Sequence, residues 1–258
     1  GVVRLLTVTT SWPRSAADPS GRFVSELHGH LSTRGWDGPA VSLQAPPHGA
    51  LQAWNSGDRR SLVRPLGRFS ADIFRAAKDC DAVLAHWTVP SGILASLTGL
   101  PTIGVAHGGD VRLLRHQLLA RTVPRMLCGV IAVSERCAKP FSSVPTLVTP
   151  MGVDTTRFTG VSRTPGPVRR VLFVGRLIPI KGVQVVLEAA QALPLEITVA
   201  GAGPLRRTLE AQFPKADFMG AVSPGDLPEL MESHDLLVVP SVGMEGSPVV
   251  VAEACAAG

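Results

Sequence analysis

The feature that most constrains this chain is an alternation of short apolar runs and amphipathic stretches that proceeds, breaks off and starts again. "VVRLLTVTT" (2–10) is brief, β-branched and bounded by polar residues and proline, which predicts a buried strand. In "GRFVSELHGHLSTRG" (21–35) the apolar Phe23, Val24, Leu27 and Leu31 recur at helical spacing, and Gly35 is placed to end the helix. "DAVLAHW" (81–87), "PTIGVAHGGD" (101–110) and "GVIAVSE" (129–135) are further strand candidates, with "SGILASLTGL" (91–100) reading as helical between the first two. Strand followed by helix followed by strand is the mark of parallel βαβ units.

Residues 36–70 break the pattern and read as a long irregular loop, rich in Gly, Pro, Ser and Arg. A second break, "RFTGVSRTPGPVRR" (157–170), has the composition of a linker. The alternation then restarts. Strands are expected at 171–175, 196–201, 217–222 and 235–241, and helices at 182–193, 204–213, 224–234 and 247–258. The fold class expected is therefore α/β with two Rossmann-like domains, residues 1–160 and 168–258. Open sheets of this kind bind ligands beyond the carboxyl ends of their strands, so the residues just after each strand carry the functional expectations.

Composition narrows the partners. The chain is 45% hydrophobic and 17% charged, a globular balance. Its formal charge of +5 favours anionic ligands such as phosphorylated compounds or acidic lipid. The basic residues are scattered, with no run resembling a nucleic-acid arm or a polybasic anchor, so no nucleic-acid partner is expected. Four cysteines without metal-ligand or disulfide spacing point to a reducing, cytoplasmic setting and to no metal. No apolar run is long enough to span a bilayer, and no secretory leader is expected, although a chain that opens on Gly1 allows a trimmed start.

Several strand-end segments carry chemistry. "VGRLIPIKG" sets Arg176 and Lys181 after Gly175. A planar guanidinium fork and a mobile ammonium complement each other around phosphate oxygens, although two solvated cations on a loop would look the same. "AGAGPL" (200–205) is a glycine turn in which Gly201 and Gly203 allow a close backbone approach. It falls short of the full G-x-G-x-x-G fingerprint, which argues against a dinucleotide-dependent oxidoreductase. "EGSPVVVAE" places Glu245 before a helix and Glu253 within it. Each carboxylate can accept two hydrogen bonds from vicinal sugar or ribose hydroxyls, or simply face solvent. In the first half, His86 follows one strand, and His107 and Asp110 in "AHGGD" follow another. In "AADPSGRFV" (16–24), Gly21 stands at a helix entry, where backbone amides can approach phosphate.

Together these segments resemble the retaining, nucleotide-sugar-dependent glycosyltransferases of family four, with GT-B architecture. The matching pieces run in family order: "WPR…DPSGRFV", "HW", "HGGD", "PMGVD…RF", "VGRL…KG", "AGAGPL", "VVPS" and "EGSPVVVAEACAAG". The Glu, seven residues, Glu spacing after the Arg–Lys pair is the most specific of them.

The resemblance implies roles. Arg176 and Lys181 would hold the donor diphosphate and stabilise the leaving nucleoside diphosphate. Glu245 would contact donor sugar hydroxyls and Glu253 the ribose. His107 would line the sugar and acceptor pocket with Asp110 nearby, and Gly21 would sit against the donor phosphates, as Gly175, Gly201 and Gly203 would line the donor site. No cofactor is implied beyond the nucleotide-diphosphate sugar, since protein cations would do the electrostatic work of a metal. The acceptor would be a hydroxyl on a glycan, a lipid-linked sugar or a small molecule. Peripheral contact with an anionic membrane, at its inner face, is compatible with the basic charge. The family normally continues past the glutamate helix, so the resemblance implies an incomplete donor domain of about four strands. A non-catalytic nucleotide-sugar binding module and a GT-B-fold nucleotide-sugar epimerase are the alternatives.

Overall fold

The computed structural model describes residues 3–15, 18–43, 60–158, 166–243 and 245–258. The chain divides into two compact units, one comprising Gly1–Arg14 and Ser20–Met151, the other Gly152–Gly258 with Ser15–Pro19.

In the first unit the strands are β1 (Val3–Thr9), β2 (Trp36–Asp37), β3 (Ala40–Ser42), β4 (Ala82–His86), β5 (Thr102–Ala106), β6 (Gly129–Ala132) and β7 (Thr146–Val148). All pair in parallel, in the order β2-β1-β4-β5-β6-β7, with β3 also paired to β1. β1 is buried from Leu5 onward on both faces, which is why its sequence reads as a continuous apolar run rather than an alternation. Leu6 and Val8 pack with Phe69, Ile73, Val83 and Ala85, whereas Leu5 joins Leu84, Val105 and Leu31. The helices supplying these contacts are α1 (Arg22–Ser32) and α2 (Arg60–Ala77), one on each face. Short helices α3 (Ile93–Ser96), α4 (Gln117–Thr122) and α5 (Glu135–Ala138) complete the unit.

The expected loop over 36–70 is corrected at its two ends, which hold β2, β3 and the start of the 18-residue α2; residues 44–59 lie outside the described residues. Pro65 and Gly67 in "RSLVRPLGRFSADIFRAA" read as breakers, yet Leu62, Phe69, Ile73 and Ala77 form one buried stripe at helical spacing. Packing of that stripe outweighs the local propensity cost of one proline near the helix start. The helix expected over 91–100 is also shorter, because Thr88–Gly92 forms an irregular turn with extended Val89.

In the second unit β8 (Arg170–Val174), β9 (Glu196–Ala200), β10 (Asp217–Gly220) and β11 (Leu236–Leu237) form a parallel sheet in the order β10-β9-β8-β11. Helices α6 (Val183–Ala190) and α7 (Arg206–Gln212) cover one face through Leu187 and Leu209. Helices α8 (Leu227–Glu232) and α9 (Val249–Ala256) cover the other through Met231 and partly buried Val250 and Ala254. Residues 159–165, half of the linker expected at 157–170, lie outside the described residues.

Both sheets reverse their winding once. In the first unit the reversal lies between β1 and β4; in the second it lies between β8 and β11. Neighbouring connections leave in opposite directions at such a point, opening a crevice at the carboxyl ends of the two strands.

Candidate functional site

The second unit places four polar side chains at its reversal. Arg176 and Lys181 follow β8, and Ser241 and Glu245 follow β11. Lys181 Nζ donates to Glu245 Oε1 at 2.7 Å, and Ser241 Oγ donates to the same oxygen at 2.7 Å. Both bonds fall on Oε1. Glu245 Oε2 keeps its lone pairs without a partner among the described residues, and Lys181 keeps two further N–H donors. Arg176 is exposed, and its guanidinium makes no hydrogen bond or ion pair among the described residues. The arrangement therefore offers a guanidinium, a tethered ammonium and a half-used carboxylate at one end of the sheet. Such a set suits a ligand that carries negative charge at one end and hydroxyls at the other.

The loops that carry these groups are tied together through their backbones. Gly175 N donates to Ala200 O at 3.0 Å, Leu177 N to Ala202 O at 2.9 Å, and Leu205 N to Leu177 O at 3.1 Å. The expected ligand glycines serve this stitching. A Cβ on Gly201 would fall 1.8 Å from Gly175 O, and one on Gly203 would fall 2.4 Å from Leu177 O. Their missing side chains are thus required by the neighbouring loop itself, a constraint independent of any ligand. Glu253 lies half-buried on α9, which begins at Val249, so the residue stands about one turn into the helix.

The first unit gathers a different set. Gly21 caps α1 with φ 66°, and a Cβ there would lie 2.2 Å from Ser11 O, so only glycine lets the helix start approach the end of β1 so closely. Beyond β4 and β5, the rings of Phe23, Trp87 and His107 cluster, with centroids 5.2 Å apart for Phe23–His107 and 4.8 Å for Trp87–His107. Trp87 adopts φ 62°, rare for a bulky residue. His86 Nδ1 lies 3.0 Å from His107 Nε2. Burial pushes both imidazoles down, His86 to about 4 and His107 to about 3, with the charge of His28 adding to the first shift and that of His86 to the second. Both rings are neutral at physiological pH.

Asp110 belongs to the framework. Only 2% exposed, it accepts at Oδ2 from Thr88 N (2.7 Å) and Thr88 Oγ1 (2.8 Å), and at Oδ1 from the amides of His107 and Gly108 (3.1 Å each). Burial raises its carboxyl, while the Thr88 donors and the His107 amide pull it down. All four contacts are internal: Asp110 locks the "HWT" turn to the "HGGD" turn and so holds His107. Thr88 and Ser241 carried no expectation of their own; Thr88 directly follows "HW" and Ser241 closes "VVPS", and those positions were the available signal.

Residues 168–258 match the family model described as "Glycosyl transferases group 1". Among curated proteins, the chain is 30% identical over 229 residues to TuaC of Bacillus subtilis, named for teichuronic acid biosynthesis, covering 75% of this chain and 56% of TuaC. It is 28% identical over 270 residues to a phosphatidyl-myo-inositol mannosyltransferase of Mycobacterium tuberculosis, covering 91% of this chain and 69% of that protein. The chain thus spans little more than half the length of the first of these relatives. Among solved structures, HepE of Anabaena in complex with UDP-glucose aligns over 98% of this chain and 78% of its own, with TM-score 0.71 at 16% identity. The catalytic domain of starch synthase IV from Arabidopsis thaliana, bound to ADP and acarbose, aligns over 98% and 81% with TM-score 0.66 at 12% identity.

Proposed function

Because residues 168–258 belong to the group 1 glycosyltransferases and the chain has the two-domain GT-B fold, we propose that it transfers a sugar from a nucleoside-diphosphate sugar to a hydroxyl acceptor with retention of anomeric configuration. The observation that carries this reading is the set of Arg176, Lys181 and half-used Glu245 at the reversal of the second sheet. Arg176 and Lys181 bind the diphosphate and stabilise the charge it gains on leaving. Glu245 accepts from donor sugar hydroxyls through Oε2, while Ser241 and Lys181 hold its other oxygen. Glu253 serves the ribose, and His107 faces the sugar and acceptor. The bond from the anomeric carbon to the phosphate oxygen breaks as the acceptor oxygen attacks the same face through an oxocarbenium-like state. The acceptor proton passes to the departing diphosphate. The protein's own cations supply the stabilisation that a metal would otherwise give.

Glycan and glycolipid acceptors are favoured by the names of the relatives, which concern teichuronic acid and phosphatidyl-myo-inositol. The charge distribution supports peripheral contact with an anionic membrane. Residues 1–151 carry 16 Lys and Arg against 9 Asp and Glu, whereas residues 152–258 carry 9 against 11. Arg60, Arg64, Arg68 and Arg75 share one exposed side of α2, next to exposed Val63 and Phe74. No helix among the described residues is long and apolar enough to cross a membrane.

The test is incubation of the full-length protein with a panel of sugar nucleotides, UDP-glucose first, with and without lipid-linked or glycan acceptors. Transfer product or slow donor hydrolysis that disappears in Arg176→Ala and Lys181→Ala supports the reading. Nucleoside-diphosphate binding by calorimetry with no turnover would indicate a binding module instead, and an epimerised donor without acceptor would indicate an epimerase.

A further inference from the structure

The histidine pair carries one step more than its position. His86 is 1% exposed, and its Nε2 is a buried nitrogen with no hydrogen-bond partner among the described residues. Its Nδ1 meets His107 Nε2 at 3.0 Å, with the rings within 13° of parallel. Two neutral imidazoles share a single proton across such a contact, which leaves two arrangements. If His107 donates from Nε2, His86 must carry its own proton on Nε2, and that N–H is buried without an acceptor. If His86 donates from Nδ1, its Nε2 is a bare lone pair. A buried donor left unsatisfied is rarer than an under-used acceptor, and losing it forfeits its full hydration. The second arrangement is therefore favoured.

We propose that His86 is a positioning residue: it donates from Nδ1 to His107 Nε2 and fixes His107 as the tautomer protonated on Nδ1. His107 then presents an N–H donor and no basic nitrogen, because Nε2 is occupied. Its Nδ1 has no partner among the described residues, and of the unpaired nitrogens in the pair only His86 Nε2 is buried from solvent. The ligand group it recognises is an acceptor oxygen, a hydroxyl or an anionic oxygen, and not a group to be deprotonated. The backbone of His107 is clamped by Asp110 Oδ1, and its ring is packed against Trp87 and Phe23, so the donor direction is set on every side. His28, the other imidazole near His86, is engaged at its own Nδ1 with Thr7 Oγ1 at 2.9 Å. For the identity of the ligand alone, the inference rests on the transferase reading. There it assigns the acceptor's proton to the departing diphosphate, since His107 has no site to receive it.

The experiment is long-range proton–nitrogen correlation on the whole chain labelled with ¹⁵N-histidine. The expected spectrum shows His107 with a protonated Nδ1 and a bare Nε2, the same pattern for His86, and no change between pH 8 and pH 5.5. His86→Asp replaces the donor by an acceptor near the Nδ1 position, and His107 should then populate the Nε2–H form. His86→Asn, whose amide can donate from near the Nδ1 position, should keep the Nδ1–H form. A native spectrum with His107 protonated on Nε2, or a His107 tautomer indifferent to His86→Asp, would overturn the proposal; the native spectrum decides even where a variant fails to fold. In the transferase assay, His86→Asp should lower kcat at least tenfold with donor KM within twofold, and His86→Asn should retain most of it. The spectra need no turnover, so failure of the transferase reading is distinguishable from failure of the tautomer assignment.

Discussion

Lys181 and Glu245 stand 64 residues apart in the chain and 2.7 Å apart in space, joined through the single oxygen that Ser241 also occupies. Their side chains are 21% and 27% exposed, so the pair is shielded enough for each charge to matter to the other. Glu245 both orients the Lys181 ammonium and offsets its charge. Two opposite effects on ligand binding follow. Under the proposed function, Lys181→Ala removes a charge-assisted bond to the diphosphate and should weaken nucleoside-diphosphate binding by about 10- to 100-fold, as should Arg176→Ala. Glu245→Gln leaves Lys181 without its counter-charge, so diphosphate binding should hold or tighten while transfer falls at least tenfold. Calorimetry with UDP beside a transfer assay separates the two. Equal weakening of UDP binding in all three variants would remove Glu245 from the sugar side of the site.

Asp110 gives a stability prediction that needs no ligand. Its two oxygens accept four hydrogen bonds in a buried setting. Asp110→Ala strands two turns of backbone donors and should cost about 3–5 kcal/mol, a fall in Tm on the order of 10 °C. Asp110→Asn keeps one accepting oxygen but turns an NH₂ toward other donors, so its loss should be intermediate. A Tm within about 2 °C of native for Asp110→Ala would contradict the bracing role.

Gly21 and Gly35 both have positive φ, 66° and 84°, but differ in what surrounds them. A Cβ at Gly21 meets Ser11 O at 2.2 Å, whereas at Gly35 nothing lies within 4 Å. Gly35→Ala should therefore cost only the left-handed backbone term, about 1–2 kcal/mol. Gly21→Ala adds displacement of α1 from the end of β1 and should cost at least about 2 kcal/mol more. Urea unfolding of the two variants measures the difference directly; equal losses would show that α1 shifts freely.

What the sequence made legible, and what it hid, divides along physical lines. The central strands were readable because their residues are buried on two faces, which leaves short, nearly continuous apolar runs such as "VRLLTVT" and "RVLFV"; the short β2, β3 and β7 leave no such run. Arg176 and Lys181 stood out in the loop after such a run, and Glu245 through its spacing from Glu253. The start of α2 was not readable: Pro65 and Gly67 give a local signal against helix, and only contacts with distant residues such as Leu6 and Val8 override it. Asp110 stood out in "HGGD", yet its bracing contacts depend on Thr88, 22 residues away, and a linear motif cannot show that contact. The Ser241 bond to Glu245 was hidden for a similar reason, because it depends on how the loop folds back.

The depressed histidines set a pH dependence with a definite sign. In the unfolded chain His86 and His107 titrate near 6.5; in the folded chain burial holds them near 4 and 3. As pH falls below about 6.5, the unfolded state takes up protons that the folded state refuses, so stability present at neutral pH drains away. The loss is roughly 1.4 kcal/mol per pH unit for each histidine, ending near the folded values. Between pH 7 and pH 4.5 unfolding free energy should thus fall by several kcal/mol. His86→Asn should flatten the slope by about one histidine's share, which separates this effect from the carboxylates. Parallel slopes in native and variant protein would mean that His86 takes its proton in the folded state.

The basic side of α2 supports a membrane prediction with its own control. Arg60, Arg64 and Arg68 are spaced four apart and exposed, with exposed Val63 and Phe74 alongside, while Leu62, Phe69 and Ile73 face the core. Near an anionic bilayer each such cation contributes about 1 kcal/mol. The full chain should therefore co-sediment with vesicles containing phosphatidylglycerol and not with neutral phosphatidylcholine vesicles. Binding should weaken steeply between 50 and about 300 mM salt, because screening shortens the reach of surface charge. Reversing Arg64 and Arg68 to Glu exchanges two attractions for two repulsions, about 4 kcal/mol in all, and should abolish co-sedimentation with UDP binding unchanged. Apolar contact also has a signature: Val63→Ser with Phe74→Ser should reduce binding at high salt more than at low salt, since burial of apolar surface is not screened. Retention of binding after the Arg64 and Arg68 reversals would move the contact away from α2.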